Sequence, residues 1–194
     1  MNAPRIILGS TSRYRAGLLR RIIDGFEQVA PDTDETPLPN ETPRARAARL
    51  AEAKARAAAA NLHDVLVIGS DQVAALGNTI LHKPGSIRIA REQLRASSGK
   101  GVDFFTGLCV LDSRDGLYRS ALDHTRVVFR KLTDAEIDRY LERERPLDCA
   151  GSFKSEAAGI ALFERIESID PTALVGLPLI ALATLLREAG FPVP

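Results

Sequence analysis

The sequence has few of the features that mark secreted, disulfide-bonded or membrane-spanning proteins. It contains two cysteines and no tryptophan among 194 residues. Two cysteines are too few for a disulfide scaffold, so we expect Cys109 and Cys149 to be reduced thiols. The apolar run over residues 174–186 is interrupted by Gly176 and Pro178 and is too short to cross a bilayer. No apolar stretch typical of a secretion signal follows the first residues, and we expect a cytoplasmic protein.

The chain also has little net charge. Lysine and arginine number 26 and aspartate and glutamate 25, which leaves a formal net charge of +1 at pH 7. This balance argues against a protein that coats DNA or an anionic membrane, so we predict neither nucleic acid nor membrane as a partner. Hydrophobic residues make up 45% and charged residues 26% of the chain, as in ordinary globular proteins. We expect one domain over residues 1–194, with a core that needs no disulfide.

Hydrophobic periodicity predicts strands and helices that alternate in the first half of the chain and two long adjacent strands in the second half. The alternation favours an α/β fold, and the adjacent strands favour a mixed β-sheet flanked by helices over a purely parallel one. We predict strands over residues 5–9, 26–30, 65–73, 102–111 and 117–129, helices over 12–23, 44–60, 87–97, 134–144 and 179–188, a hairpin at Asn78, and loops over 31–43 and 148–160.

The first candidate site is the segment from Gly9 to Arg15, where a strand passes into a helix. The start of a helix offers unpaired N–H groups and a partial positive charge, which suit a phosphate. Arg13 and Arg15 add charge, and the hydroxyls of Ser10 and its neighbours add donors. The alternative is that these hydroxyls only cap the helix.

The second candidate is Asp71, which lies beside Gly69 and Ser70 at the end of an apolar strand. A carboxylate in this position can bind a divalent cation or accept a proton from water. The acidic loop that ends at Glu35 would supply a second hard oxygen ligand. The alternatives are a carboxylate that turns the chain and a loop that is merely solvated.

Two lysines are further candidates for the site. Lys54 lies in a segment with ten alanines between residues 44 and 60, and Lys83 precedes a proline that holds its backbone extended. Most charges of the alanine-rich segment are expected to face solvent. Carboxylates and lysines near a helix start are typical of a metal-dependent triphosphate site. No Gly-Lys-Ser/Thr loop is present, which excludes a P-loop enzyme.

Glu156, in a loop of small residues, can accept two hydrogen bonds from a base edge.

These segments, taken in order, resemble the Maf family of nucleoside triphosphate pyrophosphatases. The resemblance covers nearly the whole chain, and its carboxyl-terminal part is similar to the 7-methyl-GTP pyrophosphatase branch. The dTTP/UTP branch usually has threonine after the catalytic aspartate and glutamine near position 156, where this chain has Gln72 and Glu156. The matching segments are Gly9-Ser10-Thr11-Ser12-Arg13-Tyr14-Arg15, Asp34-Glu35-Thr36-Pro37, Ile68-Gly69-Ser70-Asp71-Gln72-Val73, Lys83-Pro84, Phe105-Thr106-Gly107-Leu108, residues 149–156, 162–167, Asp170-Pro171 and residues 174–179.

The resemblance implies a cytoplasmic enzyme that hydrolyses a nucleoside triphosphate to the monophosphate and pyrophosphate, so that modified nucleotides stay out of nucleic acid. It implies a two-lobed α/β fold of the inosine triphosphate pyrophosphatase-like superfamily with the site in a cleft, a divalent cation (Mg or Mn), and a possible homodimer. By position, Asp71 would be the proton acceptor and, with Glu35, a metal ligand. The substrate-specificity positions would be Tyr14, Gln72 and Glu156, and the phosphate-binding positions Ser10, Arg15, Lys54 and Lys83.

Two other functions remain open on the sequence. One is a dTTP/UTP pyrophosphatase of the same family, which differs in the base it accepts. The other is a nucleotide-binding regulator of cell division without catalysis, which would bind nucleotide and release no pyrophosphate.

Overall fold

The computed structural model describes residues 4–194, and the chain divides into two compact units. The first unit contains residues 4–72, 106–123 and 170–194, and the second contains 73–105 and 124–169. Three strands contribute residues to both units. Within the part of the chain described, no helix is both long enough and apolar enough to span a membrane.

The secondary structure is a mixed sheet with flanking helices, which confirms the predicted α/β class. The elements are β1 (Arg5–Gly9), α1 (Arg13–Leu19), β2 (Glu27–Gln28), α2 (Pro43–Ala59), β3 (Val65–Leu76), β4 (Thr79–Ile80), α3 (Ile87–Ser97), β5 (Gly101–Asp112), β6 (Tyr118–Phe129), α4 (Asp134–Glu144), β7 (Phe163–Glu167) and α5 (Leu179–Glu188), with short 3-10 turns at Ala150–Ser152, Ala158–Leu162 and Ala173–Val175. The strand order is β2-β1-β3-β5-β6-β7, with β4 paired to β3. Strand β1 is parallel to β2 and β3, whereas the pairs β3–β4 and β6–β7 are antiparallel.

In the first unit, both faces of the sheet are covered. Successive side chains of a strand point to opposite faces, so Ile6 and Leu8 pack with α1 and α5, and Ile7 packs with α2. Cys109 lies on the α2 side and is fully buried, as expected for a core thiol. Burial on two faces explains why these strands are continuously apolar in the sequence.

The alanines of α2 allow this helix to lie directly on the sheet. Gly9, Gly69 and Gly107 come from the three neighbouring strands β1, β3 and β5. A Cβ atom added to Gly69 would overlap the carbonyl oxygen of Ala51 and the amide nitrogen of Ala55. A Cβ atom on Gly107 would likewise overlap backbone atoms of α2. Small residues on both surfaces therefore fix the distance between helix and sheet.

The second unit has its own aromatic core. Phe153 lies edge-to-face against Phe104, Phe129 and Phe163, with ring centroids 5.3, 5.6 and 4.7 Å apart. Edge-to-face pairs of this kind contribute about 0.5–1.5 kcal/mol each beyond the burial of their area. The loop that carries Phe153 is therefore anchored to the strands of this unit.

Several predicted boundaries were wrong. Helix α1 ends at Leu19, so the buried Ile23 lies beyond the end of the helix and not within it. Strand β2 has two residues rather than five. The segment predicted as a loop over 148–160 contains 3-10 turns. Strand β7 was not predicted, because only its first residue is buried and its pairing with β6 depends on tertiary structure.

Candidate functional site

Lys54 is the centre of a charged cluster in the first unit. Its Nζ donates to Asp71 Oδ1 at 2.6 Å and forms an ion pair with Glu35 Oε1 at 2.7 Å. The side chains of Lys54 and Asp71 are each 11% exposed, whereas the Glu35 side chain is 55% exposed. Lys54 shares its helix face with the buried Ala51 and Ala55, so it is turned toward the sheet and not toward solvent. The structure thus brings together three residues that the sequence separates.

Arg15 lies close to this cluster. Its Nε donates to the Gly176 carbonyl at 2.8 Å and one terminal nitrogen donates to the Ser10 hydroxyl at 3.3 Å. Burial lowers the pKa of the Arg15 guanidinium, and the charges of Asp71 and Glu35 oppose that shift. An arginine pKa starts so high that the group stays a cation. Two cations and two carboxylates therefore share one region of this unit.

The hydroxyls between β1 and α1 divide into two roles. Ser12 is the N-cap of α1 and accepts from the Arg15 amide at 3.4 Å, so capping, the alternative reading of the sequence, holds for Ser12. Ser10 is 5% exposed, and its hydroxyl oxygen accepts from the Ser12 amide at 3.2 Å and from the Arg15 side chain, which leaves the hydroxyl hydrogen to donate. Ser10 therefore remains the candidate for a phosphate contact.

The two candidate base-recognition residues of this unit differ in their surroundings. The Gln72 amide donates to Thr106 Oγ1 at 3.1 Å and to the carbonyls of Ala173 and Leu174 at 2.9 and 3.1 Å. The half-buried Tyr14 accepts a 2.9 Å hydrogen bond from Arg13, whose guanidinium carbon is 4.9 Å from the ring centroid. The NH₂ group of Gln72 is thus committed to the protein, and the Tyr14 ring already interacts with a cation.

Lys83 and Glu156 belong to the second unit. Both are exposed, and Ser155 Oγ lies 3.5 Å from Glu156 Oε2. The loop before Glu156 is held by the Lys154 amide, which donates to the Tyr140 hydroxyl at 3.0 Å. The Lys154 ammonium donates to the Glu144 carbonyl at 2.6 Å. Glu156 is therefore an accessible carboxylate on an anchored loop.

Two groups that lie at the site were not predicted from the sequence. Gln28 donates from Nε2 to the Ser10 carbonyl at 2.9 Å, which ties β2 to the turn after β1. The Gly176 carbonyl accepts from Arg15 and from Ser70 Oγ, the latter at 3.0 Å. Because every residue has a backbone carbonyl, the sequence does not show which carbonyl belongs to a site. The only sequence signal for Gly176 was its place in the motif over residues 174–179.

The carboxylates are few for a metal site made by protein alone. Among residues 4–194, no group of three or more His, Cys, Asp or Glu side chains is arranged to hold a metal ion. Asp71 and Glu35 nevertheless converge on one ammonium group. Mg²⁺ in proteins is usually held by one or two carboxylates together with substrate phosphates, so a pair of carboxylates fits such an ion.

Comparison with known proteins identifies the family of this chain. A family model described as "Maf-like protein" matches residues 5–189. A "7-methyl-GTP pyrophosphatase" of Nitrosococcus oceani is 53% identical over 190 residues, which cover 98% of this chain and 96% of that protein. One from Burkholderia pseudomallei is 57% identical over 192 residues, with coverages of 97% and 89%. One from Aromatoleum aromaticum is 53% identical over 194 residues and covers both chains fully. Because the family model and these similarities extend over nearly the whole sequence, the chain belongs to the Maf family.

Proposed function

We propose that this chain hydrolyses 7-methyl-GTP to 7-methyl-GMP and pyrophosphate, and so keeps a modified nucleotide out of nucleic acid. The observation that carries the proposal is the buried ion pair of Lys54 with Asp71, which Glu35 joins, and the two carboxylates act electrostatically on Arg15. The relatives that carry the name 7-methyl-GTP pyrophosphatase, at 53–57% identity, support the choice of substrate.

In this mechanism Asp71 is the proton acceptor. The oxygen of a water molecule attacks the α-phosphorus, its proton passes to the Asp71 carboxylate, and the bond from the α-phosphorus to the bridging oxygen breaks. Lys54 holds Oδ1 of Asp71 at 2.6 Å and so keeps the carboxylate from turning away. A fixed general base contributes about 10²–10⁴-fold to such a reaction.

The cations of the site bind the phosphates. Arg15 would contact the departing pyrophosphate, whose charge grows as the bond breaks, and Ser10 would donate its hydroxyl to a phosphate oxygen. Lys83, which is exposed in the second unit, is assigned to the same task because it matches the family motif. Half-burial of Arg15 strengthens its interaction with an anion, since less water screens the charge.

Asp71 and Glu35 would also hold a divalent cation, Mg or Mn. Both are hard oxygen ligands, and the phosphates would complete the coordination. Such an ion, when bound, would neutralise part of the triphosphate charge. The protein residues then retain the tasks of accepting the proton and orienting the phosphates.

Recognition of the base is assigned to Glu156, Tyr14 and Gln72. The 7-methylguanine base is cationic and presents two adjacent N–H donors, for which a carboxylate such as Glu156 is the matching acceptor. An aromatic ring over that cation adds about 0.5–2 kcal/mol. Arg13 already lies over the Tyr14 ring and would have to move if the base stacked on the same face. Gln72 keeps only its amide oxygen for the base, because its NH₂ group binds the protein.

The test is pyrophosphate release from 7-methyl-GTP, GTP, dTTP and UTP in the presence of Mg²⁺ or Mn²⁺. We expect 7-methyl-GTP to have the highest kcat/KM. A faster reaction with dTTP or UTP would identify the other branch, and binding without pyrophosphate release would identify a regulator. Sedimentation of the same sample tests for a homodimer, and we place the activity in the cytoplasm, where nucleotides are polymerised.

The substitution Glu156→Gln tests base recognition. We expect it to lower the preference for 7-methyl-GTP over UTP at least tenfold, which is about 1.4 kcal/mol of differential binding. Glu164→Gln is the control, because Glu164 is also an exposed glutamate of the second unit. An unchanged ratio in Glu156→Gln would remove Glu156 from the recognition of the base.

A further inference from the structure

We propose that the carbonyl group of Gly176 is the positioning group for Arg15, and that Ser70 and Gln72 hold this carbonyl in place. The inference rests on the proposed function, because it assigns Arg15 to the phosphates. It concerns the anchor turn, which we define as residues 170–177, and all of the residues involved belong to the first unit.

An arginine needs such a support to bind phosphate in one direction. Its side chain is long and has many rotamers, whereas its planar fork binds phosphate well only in a fixed orientation. The Nε atom of Arg15 is 2.8 Å from the Gly176 oxygen, so this bond fixes the plane of the guanidinium. One terminal nitrogen is thereby directed to the Ser10 hydroxyl at 3.3 Å.

A residue of the sheet holds the carbonyl of Gly176 in place. Ser70 is fully buried, and its one hydroxyl hydrogen is shared between the Gly107 oxygen at 2.8 Å and the Gly176 oxygen at 3.0 Å. Gly176 has φ +117° and ψ 7°, a conformation that favours glycine, and this conformation sets the direction of the carbonyl. Ser70 directly precedes Asp71, so the arginine support and the proton acceptor are built on the same strand.

A second set of bonds fixes the turn before Gly176. Three donors converge on the Ala173 carbonyl: the Gly176 amide at 2.8 Å, Gln72 Nε2 at 2.9 Å and Thr106 Oγ1 at 3.1 Å. Gln72 also donates to the Leu174 carbonyl. Residues on β3 and β5 therefore fix the turn relative to β3, the strand that carries Asp71.

The beginning of the turn is joined to α5. Asp170 is 2% exposed and accepts from the Thr172 amide and hydroxyl and from the Ile180 amide, at 3.0, 2.6 and 2.7 Å. Thr172 Oγ1 also accepts from the Leu179 amide at 2.9 Å. The N-cap Pro178 makes no side-chain capping bond, so Asp170 and Thr172 satisfy the first amides of α5 in its place. The anchor turn is thus fixed at both ends.

The first test measures the Arg15 hydrogen bond and does not depend on activity. In ¹⁵N-labelled protein, the Arg15 Nε–H signal is assigned by its loss in Arg15→Lys, and its exchange with solvent is measured. We expect Ser70→Ala and Gln72→Met each to accelerate this exchange at least about tenfold, since the acceptor becomes mobile. Ser97→Ala is the matched control, because Ser97 is also fully buried and its hydroxyl makes no hydrogen bond. Unchanged exchange in both test variants would overturn the proposal.

The second test separates positioning from stability. In folded enzyme, we expect Ser70→Ala to lower kcat roughly five- to tenfold with KM changed less than about twofold, because Arg15 acts on the negative charge that develops on the pyrophosphate in the transition state. The kcat/KM ratio of 7-methyl-GTP to UTP should not change in Ser70→Ala. Ser70→Thr, which keeps the hydroxyl, should restore kcat.

A double-mutant cycle makes the second test decisive. In the Arg15→Lys background, Ser70→Ala should have no further effect on kcat, because residues that act through one another are not additive. Equal losses in both backgrounds, or a changed substrate ratio in Ser70→Ala, would overturn the proposal. If the wild type releases no pyrophosphate, the proposed function fails, while the exchange measurement still decides the inference.

Discussion

Replacing Gly69 by alanine should damage both the stability and the site of this enzyme. Gly69 lies on β3, and an added Cβ would overlap the Ala51 carbonyl oxygen and approach the Ala55 amide nitrogen and Cβ, at 2.5 and 2.8 Å. Two of these three atoms are backbone, so no change of rotamer can relieve the overlap. The helix α2 must therefore move away from the sheet.

The expected cost follows from the rigidity of these neighbours. Overpacking of a core costs roughly 1–3 kcal/mol, and we expect about 3 kcal/mol here because backbone must shift. For a chain of this size, that loss lowers Tm by about 6–12 °C. Lys54 lies between Ala51 and Ala55 on α2, so it should move relative to Asp71. A displacement of about 1 Å in a catalytic group can cost about 10²-fold in rate.

The assay compares Gly69→Ala with Gly17→Ala by thermal unfolding and by pyrophosphate release from 7-methyl-GTP. Gly17 lies inside α1 with no atom within 4 Å of an added Cβ. Alanine there should raise stability by about 0.5–1 kcal/mol, since glycine is a poor helix former. The two substitutions should thus shift Tm in opposite directions. A Gly69→Ala protein with the Tm and turnover of the wild type would refute the packing argument.

Three further results are expected. Asp71→Asn keeps the shape of the side chain but removes the proton acceptor, so turnover in saturating Mg²⁺ should fall about 10²–10⁴-fold; wild-type turnover would reject the assignment. Hydrogen bonds from Thr133 lower the pKa of Glu136 to about 2 from its ordinary 4.5, so the stability they contribute is present above pH 4.5 and lost as pH falls toward 2. Glu136→Gln should therefore show a smaller decrease in Tm between pH 6 and pH 2 than the wild type. Burial raises the pKa of Cys109 to about 12, so a thiol reagent at pH 8 should label Cys149 alone in native protein and both thiols after unfolding.

Local sequence patterns determined most of the secondary structure. The helices predicted over residues 87–97 and 134–144 have those bounds, because each begins at a cap, Ser86 or Thr133, that depends on a few adjacent residues. Helix α5, predicted over residues 179–188, has those bounds. One residue of a triphosphate site could also be predicted, since Asp71 stands in a motif at the end of an apolar strand.

Only the tertiary structure decided which of these residues meet. Lys54 reads as one more basic residue of an alanine-rich helix, yet three glycines on neighbouring strands let that helix approach and bury it against Asp71. Gln72 was predicted to contact the base, but its NH₂ group binds backbone about a hundred residues later in the chain. The contact between the Gly176 carbonyl and Arg15 could not be predicted for the same reason. Periodicity and capping report on neighbours in sequence, whereas these contacts arise when strands pair and helices pack between distant segments.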